Sequence, residues 1–146
     1  MWLAPAAVVA RLSIRWVVLA LLTAFSKRIH RWFTYWMFAD AVKTVEGRRV
    51  ADELIADTQV MMRCYAARPI VAPTVFSDAE LARIRVPTLL LIGENETVGS
   101  AAKAMKRVRD VAPCVRAELV SNAGHDLPIA QRAIVIERVI GFLSER

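Results

Sequence analysis

Residues 86–96, Val-Pro-Thr-Leu-Leu-Leu-Ile-Gly-Glu-Asn-Glu, contain the segment that decides the fold. The continuous apolar run 88–92, closed by Gly93, is typical of a parallel strand that is covered on both faces. Before it, Ser77-Asp78-Ala79-Glu80 has the pattern of a capping box, which predicts the start of a short helix.

The segments after this strand continue the same alternation. Residues 100–111 place apolar side chains at helical spacing, residues 114–120 alternate as a strand does, and residues 128–143 are amphipathic at helical spacing. Strand, helix, strand and helix joined by short connections predict a parallel βαβα unit with a right-handed crossover. The fold class is therefore α/β.

The first half of the chain is basic, and its sequence pattern predicts helices. Apolar and aromatic residues recur at helical spacing from about 12 to 38, as one helix or as two broken near Ser26, and a further helix is predicted over 51–65. Gly47 is expected to act as a breaker before that helix, and His30 to lie on the solvent side of its own. The first 50 residues hold eight of the 20 Lys and Arg residues but only two of the 14 acidic residues.

The chain has more apolar residues than a core of this size requires. The chain has 146 residues, of which 56% are hydrophobic, and the mean hydropathy is +0.38. The longest uncharged apolar stretch, residues 16–25, is much shorter than the roughly 20 residues of a membrane-spanning helix. Cys64 and Cys114 lie far apart without zinc-site spacing, which favours reduced, buried thiols and a cytoplasmic location. The surplus apolar surface is expected to pack against a missing partner surface or to drive self-association.

Two polar loops follow the two predicted strands of the βαβα unit. Glu96 lies in the first loop and His125 in the second. Open parallel sheets bind ligands beyond the carboxyl ends of their strands, where these loops lie. If the strands are neighbours, Glu96 and His125 share one crevice although they are distant in sequence. A carboxylate beside an imidazole fixes its tautomer and makes it an effective general base.

Residues 84–96, together with Ala123-Gly124-His125 and the helix ending in Gly141-Phe142-Leu143, resemble the C-terminal part of an α/β-hydrolase. The resemblance implies that residues 1–76 hold the end of a core strand and a helical cap, and that residues 77–146 form the C-terminal portion of the core. It places Glu96 at the position of the triad acid and His125 at that of the triad base, with Glu94 and Asp126 as neighbouring carboxylates. It implies hydrolysis of a small-molecule carboxylic ester, with no cofactor and no metal.

The nucleophile of that family is absent from this sequence. It lies on a G-x-S-x-G elbow, and no two of the five glycines stand four residues apart. We therefore expect a fragment, from a truncated or misassigned reading frame, that is inactive alone because a base and an acid without a nucleophile lose the covalent route. A half-domain completed by a second chain is a related hypothesis.

The alternative from another class is a non-enzymatic interaction or peripheral membrane protein that uses the basic amphipathic segment 11–38. Aromatic side chains at helical spacing are more often part of a core, so membrane and nucleic-acid binding are both disfavoured.

Overall fold

The computed structural model describes residues 1–5, 8–65 and 73–145. Its centre is a parallel sheet of three strands in the order β1-β2-β3. Strand β1 is Trp2–Leu3, β2 is Thr88–Gly93 and β3 is Val115–Val120. Trp2 pairs with Leu90, and β2 pairs with β3 along its whole length, from Thr88 opposite Val115 to Gly93 opposite Val120. The predicted α/β class and parallel βαβα unit are confirmed.

Helices cover both faces of the sheet and make up most of the first half of the chain. The α-helices are α1 Ile14–Leu22, α2 Lys27–Met37, α3 Val45–Cys64, α4 Asp78–Ala82, α5 Ala101–Val111, α6 Leu127–Ala130 and α7 Arg132–Ser144. Two short 3-10 helices, Thr23–Phe25 and Ala41–Lys43, follow α1 and α2. No helix in the described part of the chain is both long and apolar enough to cross a membrane.

Strand β2 is the centre of the core because alternate side chains enter two apolar clusters. Leu90 and Ile92 pack with Val108 and other residues of α5 on one side. Leu89 and Leu91 pack with Leu127 and other residues of α6 and α7 on the opposite side. All six residues of the strand are buried, which is the reason why its sequence is continuously apolar.

The second half of the chain follows the sequence prediction closely. Ser77 and Glu80 form the reciprocal hydrogen bonds of the predicted capping box. The expected helix over 128–143 is interrupted, however, and becomes α6 and α7. Gln131 leaves helical dihedral angles at the interruption, and its side-chain amide donates to the Asn122 carbonyl oxygen at 3.1 Å.

The expectations for Gly47 and His30 are wrong. Gly47 does not break a helix: α3 begins at Val45, where the Thr44 side chain accepts a hydrogen bond from the Gly47 backbone N–H. A Cβ atom at Gly47 would lie 2.0 Å from the Ala41 carbonyl oxygen, so glycine is needed there for close packing. His30 is not on the solvent side, because only 9% of its surface is exposed.

The apolar residues of the first half are less buried than their spacing predicts. The helix break near Ser26 is present, and Phe33 is buried, but Phe25 is 84% exposed and α1 contributes no buried residue. Both cysteines are free, but Cys64 is exposed and Cys114 is half-buried, so the expected burial of the thiols is wrong.

Candidate active site

The two loops that leave β2 and β3 are packed directly against each other. The Asn95 backbone N–H donates to the Ala123 carbonyl oxygen at 2.9 Å, and the Glu94 N–H donates to Val120 at the same distance. A Cβ atom at Gly93 would lie 2.3 Å from the Ala123 carbonyl oxygen. Gly93 is therefore required by the close approach of the second loop, since no glycine in the described residues has a positive φ.

This packing brings Glu96 and His125 into contact. The His125 Nδ1 atom lies 3.2 Å from Glu96 Oε2, across 29 residues of sequence. The Glu96 side chain is 8% exposed and the His125 side chain 25% exposed. The other carboxylate oxygen of Glu96 accepts a hydrogen bond of 2.8 Å from the Val98 backbone N–H. Glu96 is thus fixed by its own loop, while a quarter of the His125 side chain remains exposed.

Asp126, the residue after His125, is fully engaged with backbone groups. It is 1% exposed, and its Oδ2 accepts hydrogen bonds from the N–H groups of Asp40 at 3.0 Å and Ala41 at 2.6 Å. Its Oδ1 accepts from the Gly124 N–H at 2.9 Å. Asp126 therefore joins the loop that carries His125 to the connection between α2 and α3. Glu94, the other neighbouring carboxylate, is exposed.

Asp40 is a second buried carboxylate close to the loops, and the sequence alone did not single it out. It accepts hydrogen bonds from the Asn95 amide at 2.8 Å and from Lys43 Nζ at 2.5 Å. Burial raises the pKa of Asp40, but the hydrogen bonds from Lys43 and Asn95 and the Lys43 charge outweigh that effect, so the net pKa is lowered. Asp40 and Asn95 join the loop after β2 to the same helical connection.

Neither a nucleophile elbow nor a metal cluster adjoins this pair in the described residues. Ser100, the serine nearest to Glu96 in sequence, accepts a hydrogen bond from the Lys103 N–H and caps α5. No group of three or more His, Cys, Asp or Glu side chains with metal-binding geometry occurs in the parts of the chain that the structure covers.

Comparison with known proteins gives the same assignment for the fold. No protein-family model matches the chain. The carboxylesterase YbfK of Bacillus subtilis is 44% identical over 71 residues, 49% of this chain and 24% of the relative. An uncharacterized carboxylesterase, nap, of the same organism is 43% identical over 72 residues, again 24% of its length.

Solved structures match over nearly the whole chain. Carboxylesterase CesB (YbfK) from B. subtilis has a TM-score of 0.82 at 27% identity, covering 99% of this chain and 50% of that protein. Naproxen esterase from B. subtilis has a TM-score of 0.81 at 31% identity, covering 97% and 49%. A meta-cleavage product hydrolase from Pseudomonas fluorescens shares the fold at 16% identity, with a TM-score of 0.65.

The chain therefore has part of the α/β-hydrolase fold that these structures share. It spans about half the length of the matched structures. The region aligned with each curated relative is about a quarter of that relative's length.

Proposed function

We propose that this chain supplies the general base and the acid of a serine hydrolase that acts on small-molecule carboxylic esters. The observation that carries the proposal is the contact of 3.2 Å between His125 Nδ1 and Glu96 Oε2 at the ends of two neighbouring strands. The similarity to esterases supports the choice of ester substrates.

The roles follow from the chemistry of the pair. A carboxylate at Nδ1 holds the imidazole in the tautomer whose Nε2 accepts a proton, and it stabilises the imidazolium that forms. In this proposal His125 takes the proton of a serine hydroxyl and returns it to the leaving alcohol. Glu96 orients the ring, and its hydrogen bond from Val98 fixes the carboxylate that does so.

The proposal includes an inactive isolated chain. The sequence contains no G-x-S-x-G, so no serine in it stands on the elbow that presents a nucleophile. Ester hydrolysis by this route then requires a nucleophile and an oxyanion hole from outside these residues.

The test is a fusion of this chain to the part of carboxylesterase CesB that lies outside the match. We expect p-nitrophenyl ester hydrolysis by the fusion and none above buffer by the chain alone. His125→Ala in the fusion should reduce kcat by about a thousandfold or more, and Glu96→Gln by a smaller factor. Glu94→Gln is the matched control, since Glu94 is exposed on the same loop. Equal activity of His125→Ala and the parent fusion would refute the proposal.

The alternative, peripheral membrane binding through residues 11–38, is favoured by one observation. Ile14 and Phe25 of this segment are 83% and 84% exposed, beside Arg15 and Lys27. Flotation with anionic vesicles tests it: salt-sensitive binding supports the alternative, and its absence removes it.

We also propose a cytoplasmic location and a division of the chain into the end of a core strand with a helical cap region, 1–76, and a C-terminal core portion, 77–146. The free state of Cys64 and Cys114 supports the first proposal. The different composition of the two halves supports the second.

A further inference from the structure

A cleft of about 950 Å³ opens beside Glu96, between residues 9–15, residues 75–77 and the loop that leads into α5. The walls are held together by the Ser13 N–H, which donates to the Val98 carbonyl oxygen at 2.7 Å. Glu96 lines this cleft, but His125 does not.

The charged side chains that line the cleft are mostly cationic. Arg11, Arg15, Lys103 and Arg107 line it, against the single carboxylate of Glu96. Arg107 is engaged, since it pairs with Asp78 at 2.7 Å and donates to the Val9 carbonyl oxygen at 2.8 Å.

The other cations are available to a ligand. Arg11 and Lys103 are exposed, and neither forms an ion pair with any residue that the structure describes. Lys103 lies in the first turn of α5, where the helix dipole adds further positive potential. These positive charges would favour an anionic group in this part of the cleft.

The remaining lining is apolar and aromatic. Trp36, Phe76 and Leu12 contribute to the walls, and the Arg15 guanidinium carbon lies 5.1 Å from the centre of the Trp36 ring. The Thr97 hydroxyl, also in the lining, is buried without a hydrogen-bond partner among the described residues. An apolar body, an anionic head and one hydrogen-bonding group would match these features.

We propose that this cleft binds a carboxylate with an apolar or aromatic body, its head between Arg11 and Lys103 and its body against Trp36. Inorganic phosphate is an anion without the apolar body and would use only part of the cleft. The proposal does not depend on catalysis by His125.

The first experiment is calorimetric titration of the chain with 3-phenylpropionate, with its neutral amide, and with inorganic phosphate. We expect the carboxylate to bind about tenfold more tightly than the amide and more tightly than phosphate, with quenching or a shift of the tryptophan fluorescence of the chain. Equal binding of acid and amide, or no binding of the acid at millimolar concentration, would overturn the proposal.

Charge-neutral variants locate the anionic head. Arg11→Gln and Lys103→Gln should each weaken binding of 3-phenylpropionate by about two- to fivefold, the range of exposed ion pairs. Arg109→Gln is the matched control, because Arg109 is exposed on α5 and does not line the cleft. An equal loss in the control would mean attraction by overall charge only and would overturn the site. Thermal melting of each variant separates loss of binding from loss of folding.

Discussion

Asp126 shows how one side chain can connect the loop of a candidate catalytic histidine to a distant helical segment. Its carboxylate accepts three backbone hydrogen bonds while it is almost completely buried. Removing an acceptor from buried donors costs their desolvation energy, which is larger than the net contribution of one hydrogen bond.

We predict that Asp126→Asn lowers the free energy of unfolding by about 2–3 kcal/mol, because an amide nitrogen then faces backbone N–H donors. Urea denaturation followed by circular dichroism measures it. Glu94→Gln, an exposed change of the same type on the partner loop, should alter stability by less than about 0.5 kcal/mol. A similar loss in both variants would contradict the role assigned to Asp126.

Asp40 makes stability depend on pH in the acid range. Burial raises its pKa, but the contacts with Lys43 and Asn95 lower the pKa by more than burial raises it. The folded pKa therefore lies below the ordinary value of 3.8. The unfolded chain then binds more protons, and the contribution of Asp40 is complete above about pH 4 and lost as pH falls through the folded pKa. Denaturation at a series of pH values should show this loss, and Asp40→Asn should reduce the slope.

The sequence predicted one pair of the site and missed the other contacts for a physical reason. Glu96 and His125 follow two adjacent strands of a parallel sheet, so topology alone places them at one edge. Asp126 is bonded to backbone groups 85 and 86 residues away, and a backbone N–H carries no sequence signal. The catalytic roles of Glu96 and His125 stay predictions.

At the scale of the element, two glycines lie inside helices, and packing requires only one of them. A Cβ atom at Gly47 would collide with the Ala41 carbonyl oxygen, whereas a Cβ atom at Gly141 in α7 would have nothing within 4 Å. Glycine inside a helix costs about 1 kcal/mol relative to alanine when no packing requires it.

We therefore predict that Gly141→Ala raises the free energy of unfolding by about 0.5–1 kcal/mol, and that Gly47→Ala lowers it. The same change in two helices makes each variant the control of the other in thermal denaturation. Stabilisation by both would show that the first turn of α3 can move away from Ala41.

The elements that could be predicted were those whose pattern depends on their own neighbours. The apolar run of β2 and the capping box of α4 are local signals, and both are present. The predictions for His30 and Gly47 were wrong because the surroundings of these residues are formed by other segments of the chain. The 3-10 helix Ala41–Lys43 packs on the first turn of α3, and burial of His30 depends on how α2 is placed in the tertiary structure.

At the scale of the whole molecule, the surplus of apolar residues is visible as exposed surface. Ile14, Val18, Leu21 and Phe25 follow one helical stripe across α1 and the 3-10 turn after it, and all are at least 49% exposed. Strand β1 forms an edge of the sheet and pairs only with β2 in the described residues. Such a stripe and such an edge favour association with another surface.

We predict that the chain self-associates and that Leu21→Glu combined with Phe25→Glu shifts it toward monomer, because both residues belong to the exposed stripe. Sedimentation velocity over a wide concentration range measures the shift. Val45→Glu with Met61→Glu is the matched control, since these residues are 88% and 57% exposed on α3. A monomer at every concentration would exclude self-association, and an equal shift in the control would exclude this stripe as the contact surface.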